Sequence, residues 1–175
     1  TLFLRQAKEA GLKWGALIGH GAGHAQIDKL TETFGKDVNY LYNVDPVAAQ
    51  LLDPKTLAAG VGDVTAEMVK RYIAETKVSD VPPHASMGFN QQWIFLTDVL
   101  PRAIKKYGGF DPEALRKASL DTVIAVGGTI QGYGVKFFPP GHVMSGQNER
   151  SSPVVMQYVD GKTKIAWPAA LKTID

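Results

Sequence analysis

Residues 84–107, HASMGFNQQWIFLTDVLPRAIKKY, constrain the fold more than any other stretch of this chain. Phe89, Trp93, Leu96, Leu100, Ala103, Ile104 and Tyr107 recur by threes and fours, the period of an α-helix. Gln91, Asp98, Arg102, Lys105 and Lys106 collect on the other side. Met87, Ile94, Phe95 and Val99 widen the apolar part, so the pattern predicts a helix buried on most of its circumference. Pro101 lies within the polar stripe. It removes one backbone donor and predicts a kink rather than an end, because the apolar period continues past it. Gly108 and Gly109 predict the stop. A helix this apolar needs partners on several sides, and the remaining chain must supply them.

The residues ahead of it supply α/β material. Residues 2–10 predict a short amphipathic helix closed by Gly11. Residues 12–18, LKWGALI, form an apolar run that predicts a buried strand. A glycine loop at 19–23 follows, then a helix at 25–34 ended by Gly35. Residues 38–44, VNYLYNV, are rich in β-formers and predict a second strand, so that 12–44 reads as one βαβ unit with parallel strands. Pro46, Pro54 and two glycines punctuate a loop over 45–62. Thr65 is placed to cap a helix at 66–77, and DVPP at 80–83 breaks the chain before the long helix.

Beyond the long helix, Asp111-Pro112-Glu113 opens another: an acidic cap, a proline at the first position, an acid in the first turn. A glycine-rich stretch at 127–134 leads into a predicted strand at 133–138, and a polar loop covers 139–152. PVVMQYVDGKTKIAWP then predicts a hairpin about Asp160-Gly161, a favoured type I′ turn pair.

Composition excludes several classes of function. With 175 residues and a net charge of +2, the chain can bury a sizeable core and carries no basic run suited to nucleic acid or an anionic membrane surface. It has no cysteine, which rules out disulfides, thiolate metal sites and a cysteine nucleophile. No apolar run approaches the roughly 18 residues of a membrane span. The chain opens inside a helical pattern with no cap before it, which reads as a fragment or processed form lacking its true N-terminal part.

The loop GHGAGH at 19–24 is the leading candidate site, because a glycine turn between strand and helix gathers backbone N–H groups and a helix N-terminus. One reading is a dinucleotide fingerprint built on Gly19 and Gly21, with Asp45 as the ribose acid, but His24 stands where the third glycine belongs. A second is a loop lining a cleft for a small solute, with His20 as a hydrogen-bond donor and Gly21 in the turn. His20 and His24 have i, i+4 spacing, yet the glycines between them disfavour a helix and no third metal ligand is near, so no metal is expected. His84, Ser86 and Phe89 open the long helix at a crossover, a good place for ligand contacts. Phe89 reads first as core. Tyr40 and Tyr42 share one face of the second predicted strand, and Tyr42 near its C-terminal end could touch a solute. No esterase elbow, HExxH or Walker loop is present, and neither a catalytic residue nor a cofactor is expected.

Taken together, LRQAKEAGLKWGALIG, VNYLYNVDP, VTAEMVKRYIAE, the stretch VLPRAIKKYGGFDPEALRKASLD and VVMQYVDGKTKIAWP resemble the C-terminal half of a type I periplasmic solute-binding protein. The nearest group is the branched-chain amino acid (Leu/Ile/Val) class that serves ABC importers, and the resemblance runs over residues 2–168. It implies an α/β fold, with a parallel sheet flanked by helices plus a C-terminal β-hairpin, forming part of a two-lobe protein. Residues 1–82 would belong to the second lobe, 83–130 would be helices of the first lobe, and 131–175 would be the closing strands and hairpin. It implies no enzyme activity, a periplasmic location, and two partners: a small-molecule solute and the membrane permease subunits. In amino-acid-binding members the loop after the first strand carries an acid that pairs with the ligand ammonium. Here that loop has none, and a buried ammonium without a carboxylate is costly. The expected solute is a small amino acid or a carboxylate: the missing acid favours a carboxylate without an ammonium, such as an aromatic or aliphatic acid, while an acid supplied by the other half would restore amino-acid binding. A dinucleotide-binding enzyme domain and a ligand-sensing domain of a receptor or regulator are the alternatives.

Overall fold

A computed structural model describes residues 2–21 and 23–174. Helix α1 (Leu2–Glu9) buries Leu4 and Ala7, and Gly11 turns the chain with φ 68°. Strand β1 (Ile18–His20), helix α2 (Ile27–Phe34) and strand β2 (Tyr42–Asp45) form the expected βαβ unit. The strands are parallel, with Ile18 beside Tyr42 and His20 beside Val44. Both are shorter and later than expected. Tyr40 adopts φ 66°, a left-handed conformation that no strand can contain, so β2 starts only at Tyr42. The Tyr42 N–H bonds the Leu17 carbonyl at 3.0 Å, and the pairing of β1 with β2 begins at Ile18. Leu12 and Trp14 are accordingly exposed rather than part of a buried strand.

The sheet has four strands in the order β1-β2-β3-β4. Strands β3 (Val154–Val159) and β4 (Lys162–Trp167) form the expected hairpin, with φ 49° at Asp160 and 74° at Gly161. The fold class is α/β as expected, but β3 runs antiparallel along β2, so the hairpin completes one mixed sheet. β3 is central, and one face of it contributes to two cores along its length. Tyr158 joins Leu4, Ile27, Leu30, Val38 and Leu41 in one core, and Val154 and Met156 join Val47, Leu52 and Ile165 in another. The strand expected at 133–138 is reduced to isolated bridges at Val135 and Phe137. Here the Asn148 side chain does a strand's work: it accepts from Lys136 N–H and donates to the Gly134 carbonyl, both at 2.9 Å.

Helix α3 (Val61–Thr76) starts earlier than expected, behind Gly60 at φ 78°. Thr65 is therefore no cap. It lies buried in the second turn and donates its hydroxyl to the Val61 carbonyl. The long helix comes in three parts: α4 (Pro83–Ile94), a π-turn (Phe95–Val99) and α5 (Leu100–Tyr107). The Leu100 N–H reaches back to the Phe95 carbonyl, a five-residue step, and the widened turn makes room for Pro101. Gly108, with φ 77°, ends α5.

The buried stripe of the long helix differs from the expected one. It runs through Ser86, Asn90, Val99 and Ala103, while Phe89, Leu96 and Ile104 are 40%, 57% and 52% exposed. Ser86 and Asn90 are polar, and long-range hydrogen bonds, which the helical period does not encode, hold them inside. Helix α6 (Pro112–Leu120) is capped as expected, with Asp111 accepting from Glu113 and Ala114 N–H. Ala114 and Ala118 pack with Val99 and Ala103.

Candidate functional site

Strands β1 and β2 end side by side, and the chain leaves each in a loop. In a parallel α/β arrangement this end gathers ligand-binding groups. At its floor sits Asp45, the last residue of β2 and only 6% exposed. Asn43 and Asp45 point to the same buried face, and Asn43 Nδ2 donates to Asp45 Oδ2 at 2.9 Å. Gly21 N–H donates to the same oxygen at 3.2 Å, tying the glycine loop to the strand. From α4, His84 brings Nε2 to 3.8 Å from Asp45 Oδ1. Among the described residues, Asn43 Oδ1 and His84 Nδ1 are buried with no hydrogen-bond partner.

The loop's glycines have two distinct reasons. Gly21 has φ 79°, which a side chain would strain. Gly19 lies under the His24 ring: a Cβ there would come within 2.4 Å of it. Burial holds the His24 imidazole below its ordinary value. His24 is thus packed into the loop rather than presented beside His20 as a ligand. Among the described residues no group of three or more His, Asp or Glu side chains is arranged to hold a metal. Ala22 lies outside the described residues.

The structure brings three of the candidate residues to this end. His20 closes β1 and is exposed, Gly21 bonds Asp45, and His84 faces Asp45. The others lie differently. Tyr42 begins β2 rather than ending it, opposite Ile18, on the face away from Asn43 and Asp45. Ser86 is completely buried, and its hydroxyl accepts from Ala49 N–H at 3.1 Å. That bond makes it an anchor for α4. Phe89 is exposed and joins none of the core clusters.

The sequence pattern offers Asp45 only as a ribose acid and gives Asn43 no role. Their signal is present but faint: an Asn-x-Asp pair at alternate positions of a β-rich run, one face of a strand. Their arrangement also weakens the dinucleotide reading. The Gly21 N–H that should cradle a phosphate is spent on Asp45, whose carboxylate repels one. Helix α2 begins only at Ile27, behind Gln26, which makes no side-chain cap bond.

Two cavities lie away from this end. One of about 450 Å³ is bounded by α1, residues 11–17 and residues 37–41. Another of about 500 Å³ lies between α4, the π-turn and residues 133–153. Among the described residues no helix is long and apolar enough to cross a membrane.

No family model matches the chain. Among curated proteins it is similar to the Leu/Ile/Val-binding protein homolog 7 of Brucella abortus, with 32% identity over 171 residues, 97% of this chain and 39% of that protein. The Leu/Ile/Val-binding protein homolog 8 of the same organism is 29% identical over 96% of this chain and 38% of its own length. Among solved structures it is similar to an extracellular ligand-binding receptor from Rhodopseudomonas palustris, with TM-score 0.63, 22% identity and coverage of 93% of this chain and 43% of that one. The leucine-binding protein LivK of Thermotoga maritima gives TM-score 0.60, 19% identity, 95% of this chain and 40% of that one. The chain therefore has the type I periplasmic-binding fold and spans about 39% of the curated relatives it matches.

Proposed function

We propose, for a partial branched-chain-binding-like chain of this fold, that it is the extracytoplasmic solute-capturing component of an ABC importer. The solute is a small amino acid or carboxylate, and it is held where β1 and β2 end. His20, Gly21 and His84 line the cleft over Asp45. The reading is capture rather than catalysis, at a periplasmic location, with handover to membrane permease subunits. Residues 1–82 form part of one lobe, 83–130 return to the other, and 131–175 close back. The observation that carries the reading is the likeness to Leu/Ile/Val-binding homologues over 97% of this chain, with polar groups converging at the strand ends.

Capture of this kind works by population shift: a solute that touches both sides of a cleft binds the closed form better than the open one and moves the balance toward it. His84 is suited to that, because it sits at the first turn of α4 while Asp45 ends β2. Thermal unfolding of the full-length protein tests the reading, since any solute bound only by the folded state raises Tm by mass action. A panel of amino acids and organic acids should contain at least one solute that raises Tm in proportion to the logarithm of its concentration. A panel without effect, with NAD raising Tm instead, contradicts capture and restores the nucleotide reading.

A further inference from the structure

Strand β4 is an end strand of the sheet, and the middle of its outer edge is occupied by a later segment of the same chain. We infer that residues 171–174 are a strap that closes this edge, and that the strap keeps the protein from pairing with a second copy of itself through β4. This closure is independent of the solute site and goes beyond the capture reading.

An end strand presents backbone donors and acceptors that another strand can take, so an uncovered edge invites association. On β4 the groups in question belong to Ile165. Its N–H donates to Thr173 Oγ1 at 2.8 Å. Its carbonyl accepts from the Thr173 N–H at 2.9 Å and from the Ile174 N–H at 3.2 Å. A neighbouring strand would satisfy the same two groups; here one hydroxyl and two amides of the strap do so.

The strap is held down at its root. The short turn Ala169–Leu171 folds the chain back over β4, with the Leu171 N–H bonded to the Pro168 carbonyl at 3.0 Å. Leu171 packs against the core of Val47, Leu52, Val154, Met156 and Ile165. The end of the edge is guarded by other means. Met156 pairs with Ile165 but Val155 with Trp167, which leaves Ala166 as a bulge, and Pro168 has no N–H to offer. Ile165 is the point that the strap protects.

A second copy of the chain suits that point. A donor and an acceptor on one residue are self-complementary: two antiparallel β4 strands centred on Ile165 exchange both bonds about a two-fold axis. In that register Lys164 faces Ala166 of the other copy and Thr163 faces Trp167, so no like charges meet. Trp167, 53% exposed, adds apolar area beside the pair. The bulge keeps the pairing short, so the dimer forms only as concentration rises.

The test uses the full-length protein, with sedimentation velocity over a range of concentrations and hydrogen exchange at the Ile165 amide. The wild type should keep the mass of one chain, and its Ile165 amide should be protected although it lies on an edge. Thr173→Pro removes the amide and the hydroxyl of the strap. It should expose the Ile165 amide in dilute solution and shift the mass towards two chains as concentration rises. Adding Ala166→Lys sets the new lysine against Lys164 of the other copy and should return the mass to one chain. Thr173→Val removes only the hydroxyl and decides the matter where the proline variant does not fold: it should speed Ile165 exchange and give a smaller shift in mass. A wild type that dimerises, or whose Ile165 amide is unprotected, overturns the inference. So does a folded strap variant whose Ile165 amide stays protected, one that exposes this amide and remains a single chain at every concentration, or a dimer that Ala166→Lys leaves intact.

Discussion

The two ends of the long helix are packed by different chemistry. At its start α4 is anchored by polar side chains. Ser86 takes the Ala49 N–H, and Asn90 takes the Ile130 N–H at 3.2 Å and donates to the Tyr133 hydroxyl at 3.0 Å. At its far end α5 meets α6 through Val99, Ala103, Ala114 and Ala118, small side chains that let the helices approach closely. Directional bonds fix a position and an angle, while close packing of alanines fixes only a distance. The polar anchors lie at the end where His84 must face Asp45, within a few residues of it in sequence. Precision is built where the solute is proposed to bind, and plain packing serves the end remote from it.

Breaking each end should separate these roles. The largest effect is expected at the alanine end. Ala118→Leu, at a site with no exposure, should cost about 3 kcal/mol by overpacking, lowering Tm while leaving solute affinity near the wild-type value. Asn90→Leu strands the buried Ile130 N–H and should cost about 2 kcal/mol in chemical denaturation. It should also weaken solute binding, because α4 loses an anchor. Ser86→Ala is a smaller lesion, about 1 kcal/mol, from the unpaired Ala49 N–H. Its mark is a binding loss out of proportion to its stability loss, as read by calorimetry beside Ala118→Leu. If the alanine variant instead damages binding as much as the serine variant, the two ends are not distinct.

The smallest effect is that of pH on α6. Arg116 hydrogen-bonded to Glu113 holds that carboxyl down at about 2, and Lys106 with Tyr107 holds Asp121 below the ordinary carboxylate range. Each folded value lies below the unfolded one, so the contribution is complete above about pH 4.5 and fades as pH falls towards about 2. These carboxylates are open to solvent and screened by it. The double variant Glu113→Gln, Asp121→Asn should therefore flatten the acid limb of a Tm–pH curve only slightly. It should leave binding at neutral pH unchanged.

What the sequence made legible was local. Asp160-Gly161 named its turn, Asp111-Pro112 its helix start, Gly108 its helix end, and the βαβ order followed from strand–glycine–helix–strand spacing. What stayed hidden depends on partners far along the chain. Asn90 is inside because Ile130 lies 40 residues away, and Ser86 because Ala49 lies 37 away. A helical period sees only that both are polar. Tyr40 carries no mark of its left-handed turn, so the onset of β2 was misplaced, and with it the end of the strand where Asp45 sits. The acid beside the loop is hidden for the same reason: the loop carries none, and Asp45 reaches Gly21 from the neighbouring strand.

The most direct test of the central claim is amide NMR of the full-length protein, titrated with the solute that stabilises it most. The account predicts that the largest shifts fall on Gly21, Asp45 and His84, with His20 beside them. Shifts confined to the cavity between α4 and residues 133–153, or to the surface around Trp14 and Tyr40, would contradict it.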